Sequence, residues 1–252
     1  MSSARGVHSI APDRYEAVLF DLDGVLTATA RVHASCWKRM FDDFLRRRAD
    51  ATSEPFQPFE IATDYKQYVD GMLRQEGVRS FLASRNITLP EGDPASPPGY
   101  DTLHGLGNMK NQLFNEVVRA EGVDVYDSSV EVVRRLRDLG LETAVVTASK
   151  NCGTILRAAG IADLFDAQVD GIVAAELKLP GKPAPDTFLK AAEFLGVKPA
   201  RAVVVEDAIS GVAAGRAGGF GLVIGVDRKS HADELREHGA DIVVEDLGEL
   251  LK

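Results

Sequence analysis

The sequence predicts an α/β protein with a Rossmann-like parallel sheet core and an inserted helical cap domain. Two observations carry this. From Asp127 to the C-terminus, short β-branched apolar runs alternate with amphipathic helical stretches, the pattern of a parallel sheet covered on both faces. One more apolar run, Ala17–Phe20, stands alone near the N-terminus. A lone strand cannot bury both its faces, so it must join the sheet built by the distant half of the chain. The core is therefore assigned to residues 1–28 and 127–252, and the cap to residues 29–126.

In chain order, Ala17–Phe20 stops abruptly at Asp21, with Asp23 and Gly24 following, as a buried strand ending in a loop does. From Arg31, the residues Val32, Cys36, Trp37, Met40, Phe41, Phe44 and Leu45 recur at helical spacing on one face. Arg46 to Arg48 are expected to close that helix with the charge its dipole favours. Residues 51–108 are less regular, with a helix expected over Val78–Arg85 and another beginning near Met109. Between them, Leu89–Gly107 holds Pro90, Pro94, Pro97, Pro98 and several glycines, and is read as a loop without regular helix or strand. After Asp127, helices are expected over Ser129–Leu139, Cys152–Ala159, Asp186–Leu195, Val212–Ala217 and Asp233–His238, with a last one at Leu247. Strands are expected over Glu142–Thr147, Ala202–Val205, Leu222–Val226 and Ile242–Val244. The glycine-rich run Gly215–Gly221 lacks the strand-first placement of a dinucleotide fingerprint and is read as a turn.

The chain has 252 residues, 45% hydrophobic and 27% charged, which excludes disordered and collagen-like classes. Its 38 acidic against 29 basic residues give a net charge of −9, which argues against nucleic acid or an anionic membrane as partner. Cys36 and Cys152 are far apart, so neither a disulfide framework nor a zinc cluster is expected, and a reducing cytoplasm is. Met1–Arg14 lacks an apolar stretch of signal-peptide length, and no run approaches the roughly 18 apolar residues of a membrane span. The expected setting is cytoplasmic.

In an open parallel sheet, ligands bind beyond the carboxyl ends of the strands. That rule selects Asp21 and Asp23 after the first strand, Thr147 and Ser149 after the second, Glu206 and Asp207 after the third, and Lys182 in a Gly-Lys-Pro segment. Carboxylates so close repel one another, and an oxygen-loving cation such as Mg2+ relieves them, with Asp21 and Asp207 as direct ligands. Mg2+ takes few protein carboxylates and suits a phosphorylated substrate. Lys182 would supply a second positive charge, and Thr147 with the amides after it would hold the remaining phosphoryl oxygens. Any one aspartate could be merely a turn or capping residue. The whole set at successive strand ends points to chemistry.

The runs Phe20-Asp21-Leu22-Asp23-Gly24-Val25-Leu26, Val146-Thr147-Ala148-Ser149, Gly181-Lys182-Pro183 and Val205-Glu206-Asp207 resemble, in order, the four motifs of the haloacid dehalogenase superfamily of phosphotransferases. The resemblance implies that Asp21 is the nucleophile that becomes an aspartyl phosphate and Asp23 the general acid and base, with Thr147 and Lys182 completing the catalytic set. It implies a metal site of Asp21, Asp23 through its carbonyl, Glu206 and Asp207. Asp23 favours phosphoryl transfer over dehalogenation, whose enzymes lack that second carboxylate.

Within the superfamily, the chain resembles the β-phosphoglucomutase-like subfamily. By that resemblance Ala148, Ser149, Lys150 and Asn151 line the substrate site, the last three holding the phosphate that is not transferred. Arg74, after Asp70-Gly71, grips the same distal phosphate, and His33, Trp37, Lys110 and Asn111 complete the cap side. The implied reaction converts β-glucose 1-phosphate to glucose 6-phosphate, with glucose 1,6-bisphosphate as intermediate and activator. The implied partner is a small phosphosugar, and a monomer is expected.

A sugar-phosphate phosphatase using the same aspartate is the alternative, and a binding module that keeps the fold without turnover is a third reading. Trp37 could equally be packing, Arg74 and Lys110 solvated charges, and His33 polar surface. Two departures stand out. Thr27-Ala28-Thr29 has alanine where the subfamily has an acidic residue, and the proline-rich loop is additional.

Overall fold

Among the described residues, six parallel strands form one sheet in the order β3-β2-β1-β4-β5-β6. They are β1 Ala17–Phe20, β2 Glu142–Val146, β3 Ala167–Val169, β4 Ala202–Glu206, β5 Leu222–Val226 and β6 Ile242–Val244. Every residue of β1, β4 and β5 is buried, as strands between two layers of helix must be. In this computed structural model, residues 10–228 and 230–251 are described. Most of the polar stretch Met1–Arg14 thus lies outside the described residues. The chain divides into two compact units, Met1–Ala28 with Val123–Lys252, and Thr29–Gly122. The second unit ends at Gly122, where the sequence places Tyr126.

Register aligns the strand ends of the sheet unit. Phe20 pairs with Val145 of β2 and with Val205 of β4. One residue further, the Asp21 amide donates to the Val205 carbonyl at 2.9 Å, extending the ladder past the strand. Asp21 therefore leaves the sheet beside Glu206, the last residue of β4. Strand β3 was not anticipated, since three residues interrupted by Gln168 are too short to show a period.

The helical unit holds α1 Ala30–Thr52, α2 Lys66–Tyr68, α3 Arg74–Ser84 and α4 Leu103–Glu121, with a π-helical turn at Ile61–Tyr65. Helix α1 buries the apolar face predicted for it but outruns Arg48, ending only where Ser53 turns left-handed at φ 58°. Neither glycine nor proline stops it, and Ala49 and Ala51 favour its continuation. Helix α3 begins a turn before Val78, and Gly77 sits in it where a Cβ would be 3.3 Å from Val69. Helix α4 begins well before Met109, so residues 103–107 are helix and not loop. Thr102 caps it, its Oγ1 accepting from the Gly105 amide at 2.9 Å. Gly105 and Gly107 inside the helix serve close approach: a Cβ at Gly107 would lie 2.9 Å from Gln75 Nε2. Glycines that argue locally against a helix are here required by its packing.

The sheet unit's helices are α5 Asp127–Asp138, α6 Cys152–Ala158, α7 Gly171–Glu176, α8 Asp186–Leu195, α9 Ile209–Ala217 and α10 Ala232–Glu237, followed by a 3-10 turn at Leu247–Leu251. Phe188, Ala191, Val212, Ala214 and Leu235 of α8, α9 and α10 cover Ala17, Leu19, Val204 and Val223. Successive strand side chains alternate faces, so Val18 and Phe20 serve the other layer. The run Gly215–Gly221 is not a turn throughout. Helix α9 continues to Ala217, with Gly215 pressed on β4 and β5, where a Cβ would meet Val223 at 3.1 Å and Val204 at 3.2 Å.

Aromatic packing holds the helical unit together. The Phe41 ring lies 5.3 Å from Trp37, 5.1 Å from Phe59 and 4.3 Å from Phe81, and Phe59 meets Phe81 edge-on at 4.8 Å. Replacing Phe81 with alanine should cost about 3–5 kcal/mol. Trp37 is the chain's one tryptophan and belongs to this cluster, so denaturation followed by its fluorescence reads the loss directly. A loss under about 1 kcal/mol would show that the cluster does not hold the unit.

Candidate active site

The exits of β1 and β4 bring Asp21, Glu206 and Asp207 together, and Lys182 joins them. Lys182, in the loop between α7 and α8, is 3% exposed. Its ammonium donates to Asp21 Oδ1 at 2.6 Å, to Glu206 Oε1 at 2.6 Å and to the Val146 carbonyl at 3.2 Å. All three of its protons thus have partners. Glu206 uses its other oxygen to accept from the Ala208 amide at 2.9 Å. Thr147 Oγ1 donates to Asp23 Oδ2 at 3.3 Å and accepts from the Ser149 amide at 3.1 Å, while Ser149 Oγ accepts from the Asn151 amide at 3.2 Å. Lys150 is exposed and Ala148 half-buried on the same loop.

The charges do not balance with one ammonium. Burial pushes the Asp21 carboxyl well above the usual carboxylate range; Lys182 pulls it down, and Glu206, Asp23 and Asp207 push it further up. Burial works against the Lys182 charge, but Asp21 and Glu206 outweigh it and hold the ammonium above its ordinary value. Asp21, Glu206 and Asp207 are all buried, and each offers an oxygen within 4.8 Å of the others. Three carboxylate oxygens with no nitrogen or sulfur form a donor set for a hard cation.

Glycines shape this cluster, and sequence reasoning did not single them out as site residues. Gly24 has φ +94°, and a Cβ there would lie 2.3 Å from Asp207 Oδ2. A Cβ on Gly211 would lie 1.9 Å from the Glu206 carboxyl carbon, and one on Gly171 would lie 2.5 Å from the Ala148 carbonyl. Asp170 was also missed. It is buried at the end of β3 and caps α7, accepting from the Ile172 and Val173 amides. Its signal was an aspartate directly before a glycine that opens a helix. Cys152 lies buried nearby, and burial together with Asp170, Asp23 and Asp21 pushes its thiol far up, so it is inert as a nucleophile.

In the helical unit, Lys110 is buried and its ammonium donates to His33 Nδ1. It lies 5.4 Å from the Trp37 ring centre and 5.0 Å from that of Phe114, and His33 stacks on Phe114 at 4.1 Å. Lys110 is therefore not a solvated surface charge. Trp37, 4% exposed, is a packing residue beneath it. Arg74, the first residue of α3, is half-buried and donates to the Gly107 carbonyl at 3.3 Å and to Asn108 Oδ1 at 3.4 Å. Among the described residues no carboxylate pairs with it, and burial lowers its pKa to about 10. It remains charged at neutral pH. Asn111 is half-buried one residue beyond Lys110.

The family described as haloacid dehalogenase-like hydrolase matches residues 15–219, which span the core motifs and the helical insertion. The chain belongs to the haloacid dehalogenase superfamily. The β-phosphoglucomutase of Mycobacterium bovis is 49% identical to it over 243 residues, 95% of this chain and 93% of that one. That likeness puts it in the β-phosphoglucomutase-like branch of the superfamily. The trehalose-phosphate phosphatase of Mycobacterium leprae is 40% identical over 129 residues, half of this chain and 28% of that one. The crystal structure of β-phosphoglucomutase from Clostridium difficile has the same fold, with a TM-score of 0.73 at 23% identity over 94% of this chain and 93% of that one. Among the described residues of this haloacid dehalogenase superfamily member, no helix is long and apolar enough to cross a membrane.

Replacing Lys182 with alanine strands Asp21 and Glu206 without their shared cation and should cost about 3–5 kcal/mol at neutral pH. Asp21 already titrates above its ordinary value and would move higher. A carboxyl with a raised folded pKa takes up protons preferentially in the folded state. The deficit is thus full above that raised value and shrinks as pH falls through it. Urea titrations at about pH 7 and about pH 5 should show the gap to wild type narrowing at the lower pH. An equal gap at both would show that the loss is not electrostatic.

Proposed function

We propose that the protein is a Mg2+-dependent phosphosugar mutase, interconverting β-glucose 1-phosphate and glucose 6-phosphate through the 1,6-bisphosphate. The observation that carries this reading is Arg74, a half-buried guanidinium held by two neutral oxygens and paired with no carboxylate among the described residues. A phosphatase needs one phosphate site. A mutase, whose intermediate carries two phosphates, needs a second, and an arginine whose charge is left uncompensated is suited to it. The 49% identity to a β-phosphoglucomutase supports the same conclusion.

In this reading Asp21 is the nucleophile. One carboxylate oxygen attacks phosphorus, the bond to the donor oxygen breaks, and Asp23 delivers the proton that the departing oxygen needs. The Thr147 hydroxyl, already on Asp23 Oδ2, orients that acid. Lys182 fixes the other face of Asp21 and neutralises charge that builds on the phosphoryl oxygens. In the second half-reaction the phosphoryl group passes from Asp21 to a sugar hydroxyl, whose proton Asp23 takes back. Asp21 and Asp207, with Glu206 and the Asp23 carbonyl, would hold the cation, which when bound neutralises phosphate charge and keeps Asp21 ionised. Ser149, Lys150 and Asn151 are assigned with Arg74 to the phosphate that stays behind, and His33, Lys110 and Asn111 to the sugar side.

A phosphatase with water as acceptor is the second reading, favoured by the partial likeness to trehalose-phosphate phosphatase. Phosphorus NMR with Mg2+, β-glucose 1-phosphate and a trace of the 1,6-bisphosphate separates them. Glucose 6-phosphate without inorganic phosphate supports the mutase; inorganic phosphate as the main product replaces it with the phosphatase. Chelation with EDTA should abolish turnover and added Mg2+ restore it. Asp21→Asn should lose activity by about 10,000-fold or more. Arg74→Ala should lower mutase kcat/KM by about 10–100-fold, and hydrolysis of an aryl phosphate far less. Equal losses would remove Arg74 from a second phosphate site.

A further inference from the structure

We propose that Asn108 is the positioning residue for Arg74, and that the proline-rich segment 89–102 acts through it to set the arginine for the second phosphate of a sugar bisphosphate. The proposal rests on the role given to Arg74 above. It gives that segment a task.

The Asn108 side chain can sit only one way round. Its Nδ2 donates to the Pro94 carbonyl at 3.2 Å and to the Ser96 carbonyl at 2.8 Å. The flipped amide would turn its oxygen against two carbonyls, which have no proton to give. Oδ1 therefore faces the other way, and there it accepts from Arg74 Nη1 at 3.4 Å. One amide thus ties two backbone carbonyls of the segment to the guanidinium.

The segment is built to hold those carbonyls still. Asp93 closes a tight turn: its carbonyl accepts from the Ser96 amide at 2.9 Å and its Oδ1 from the Ala95 amide at 2.7 Å. Upstream, both Glu91 carboxylate oxygens accept from Arg79 Nη2 at 2.8 Å, and the Pro90 carbonyl accepts from the Leu103 amide at 3.0 Å. Proline at 94, 97 and 98 restricts φ and removes competing donors. Next to Asn108, a Cβ on Gly107 would stand 3.3 Å from Arg74 Cδ, so glycine there lets α3 and α4 close on the arginine stem.

The chemistry of the acceptors matters as much as their placement. Asn108 and the Gly107 carbonyl are dipoles, not anions. They orient the guanidinium without cancelling its charge, and leave it to pair with an incoming phosphate. An aspartate at 108 would have nearly the same shape and the opposite effect. It would neutralise Arg74 and repel the Pro94 and Ser96 carbonyls.

The test uses the full chain with Mg2+ and compares Asn108→Asp, Asn108→Ala, Pro94→Gly and Arg74→Ala. For each, the KM for β-glucose 1,6-bisphosphate as activator is set against hydrolysis of p-nitrophenyl phosphate, which has no second phosphate and reports an intact catalytic centre. Asn108→Asp should raise the bisphosphate KM by about tenfold or more. Asn108→Ala and Pro94→Gly should raise it by about three- to fivefold. Aryl phosphate hydrolysis should change far less in all three. If Arg74→Ala raises the bisphosphate KM and the three segment variants do not, the proposal is overturned and the role of Arg74 stands. If Arg74→Ala leaves that KM alone, the role of Arg74 falls and the proposal with it. Parallel losses of both activities in Asn108→Asp and Asn108→Ala would mark Asn108 as a folding residue only and would equally overturn it.

Discussion

The ammonium of Lys182, buried and shared between Asp21 and Glu206, is the interaction on which the sheet unit's chemistry depends. It crosses from the loop before α8 to the ends of β1 and β4, two strands whose register already sets the carboxylates side by side. Without it, two buried carboxylates would face each other in a medium that solvates neither. With it, the pair is tolerated but not balanced, because Asp207 and Asp23 add negative charge nearby. The imbalance is informative. A structural ion pair is usually satisfied by its own members, whereas this one retains a negative surplus that a hard cation would offset.

The two units hold their cations by opposite means. Lys182 is surrounded by charge, which raises its pKa and fixes it in place. Arg74 is surrounded by dipoles, which orient it while burial lowers its pKa to about 10. The first arrangement suits a residue that must keep both its proton and its position. The second suits a residue whose charge is kept for a ligand that comes and goes. Glycines make both possible. Gly24 and Gly211 allow Asp207 and Glu206 to lie against the backbone, and Gly107 allows two helices to close on the Arg74 stem.

Much of this was legible in the sequence, for a physical reason. A buried parallel strand must be apolar to its end, and a catalytic strand must then present polar groups at once, so Phe20-Asp21, Val146-Thr147 and Val205-Glu206 are abrupt transitions that stand out. The sheet, its parallel topology and the clustering of those residues follow from that grammar. What was not legible depended on contacts distant in sequence. Strand β3 is too short to carry a period. The start of α4 was hidden because Gly105 and Gly107 are chosen for a neighbour's backbone and side chains and not for helix propensity. Trp37 and Lys110 illustrate a subtler limit: spacing places both on helices, but only packing shows that one is the floor on which the other's charge rests.

The helical unit is inserted at a point that the sheet unit's own contacts hold in place. The chain leaves the sheet unit immediately after the β1 exit and returns just before α5, and the leaving and returning segments are paired to each other. Thr27 bridges Val125, the Ala28 amide donates to the Asp124 carbonyl at 2.9 Å, and the Tyr126 amide donates to the Leu26 carbonyl at 3.0 Å. Arg228 lies over the Tyr126 ring at 3.8 Å and donates to the Gly24 carbonyl at 3.1 Å, tying that junction to the turn that carries Asp23. The acidic turn is thereby fixed from within the sheet unit, whatever sequence fills the interval between Ala28 and Val123. The helical unit has an aromatic core of its own, through Phe41, Phe59 and Phe81. Separate cores let the packing of the helical unit change while the acidic residues at the strand ends stay where the sheet register puts them.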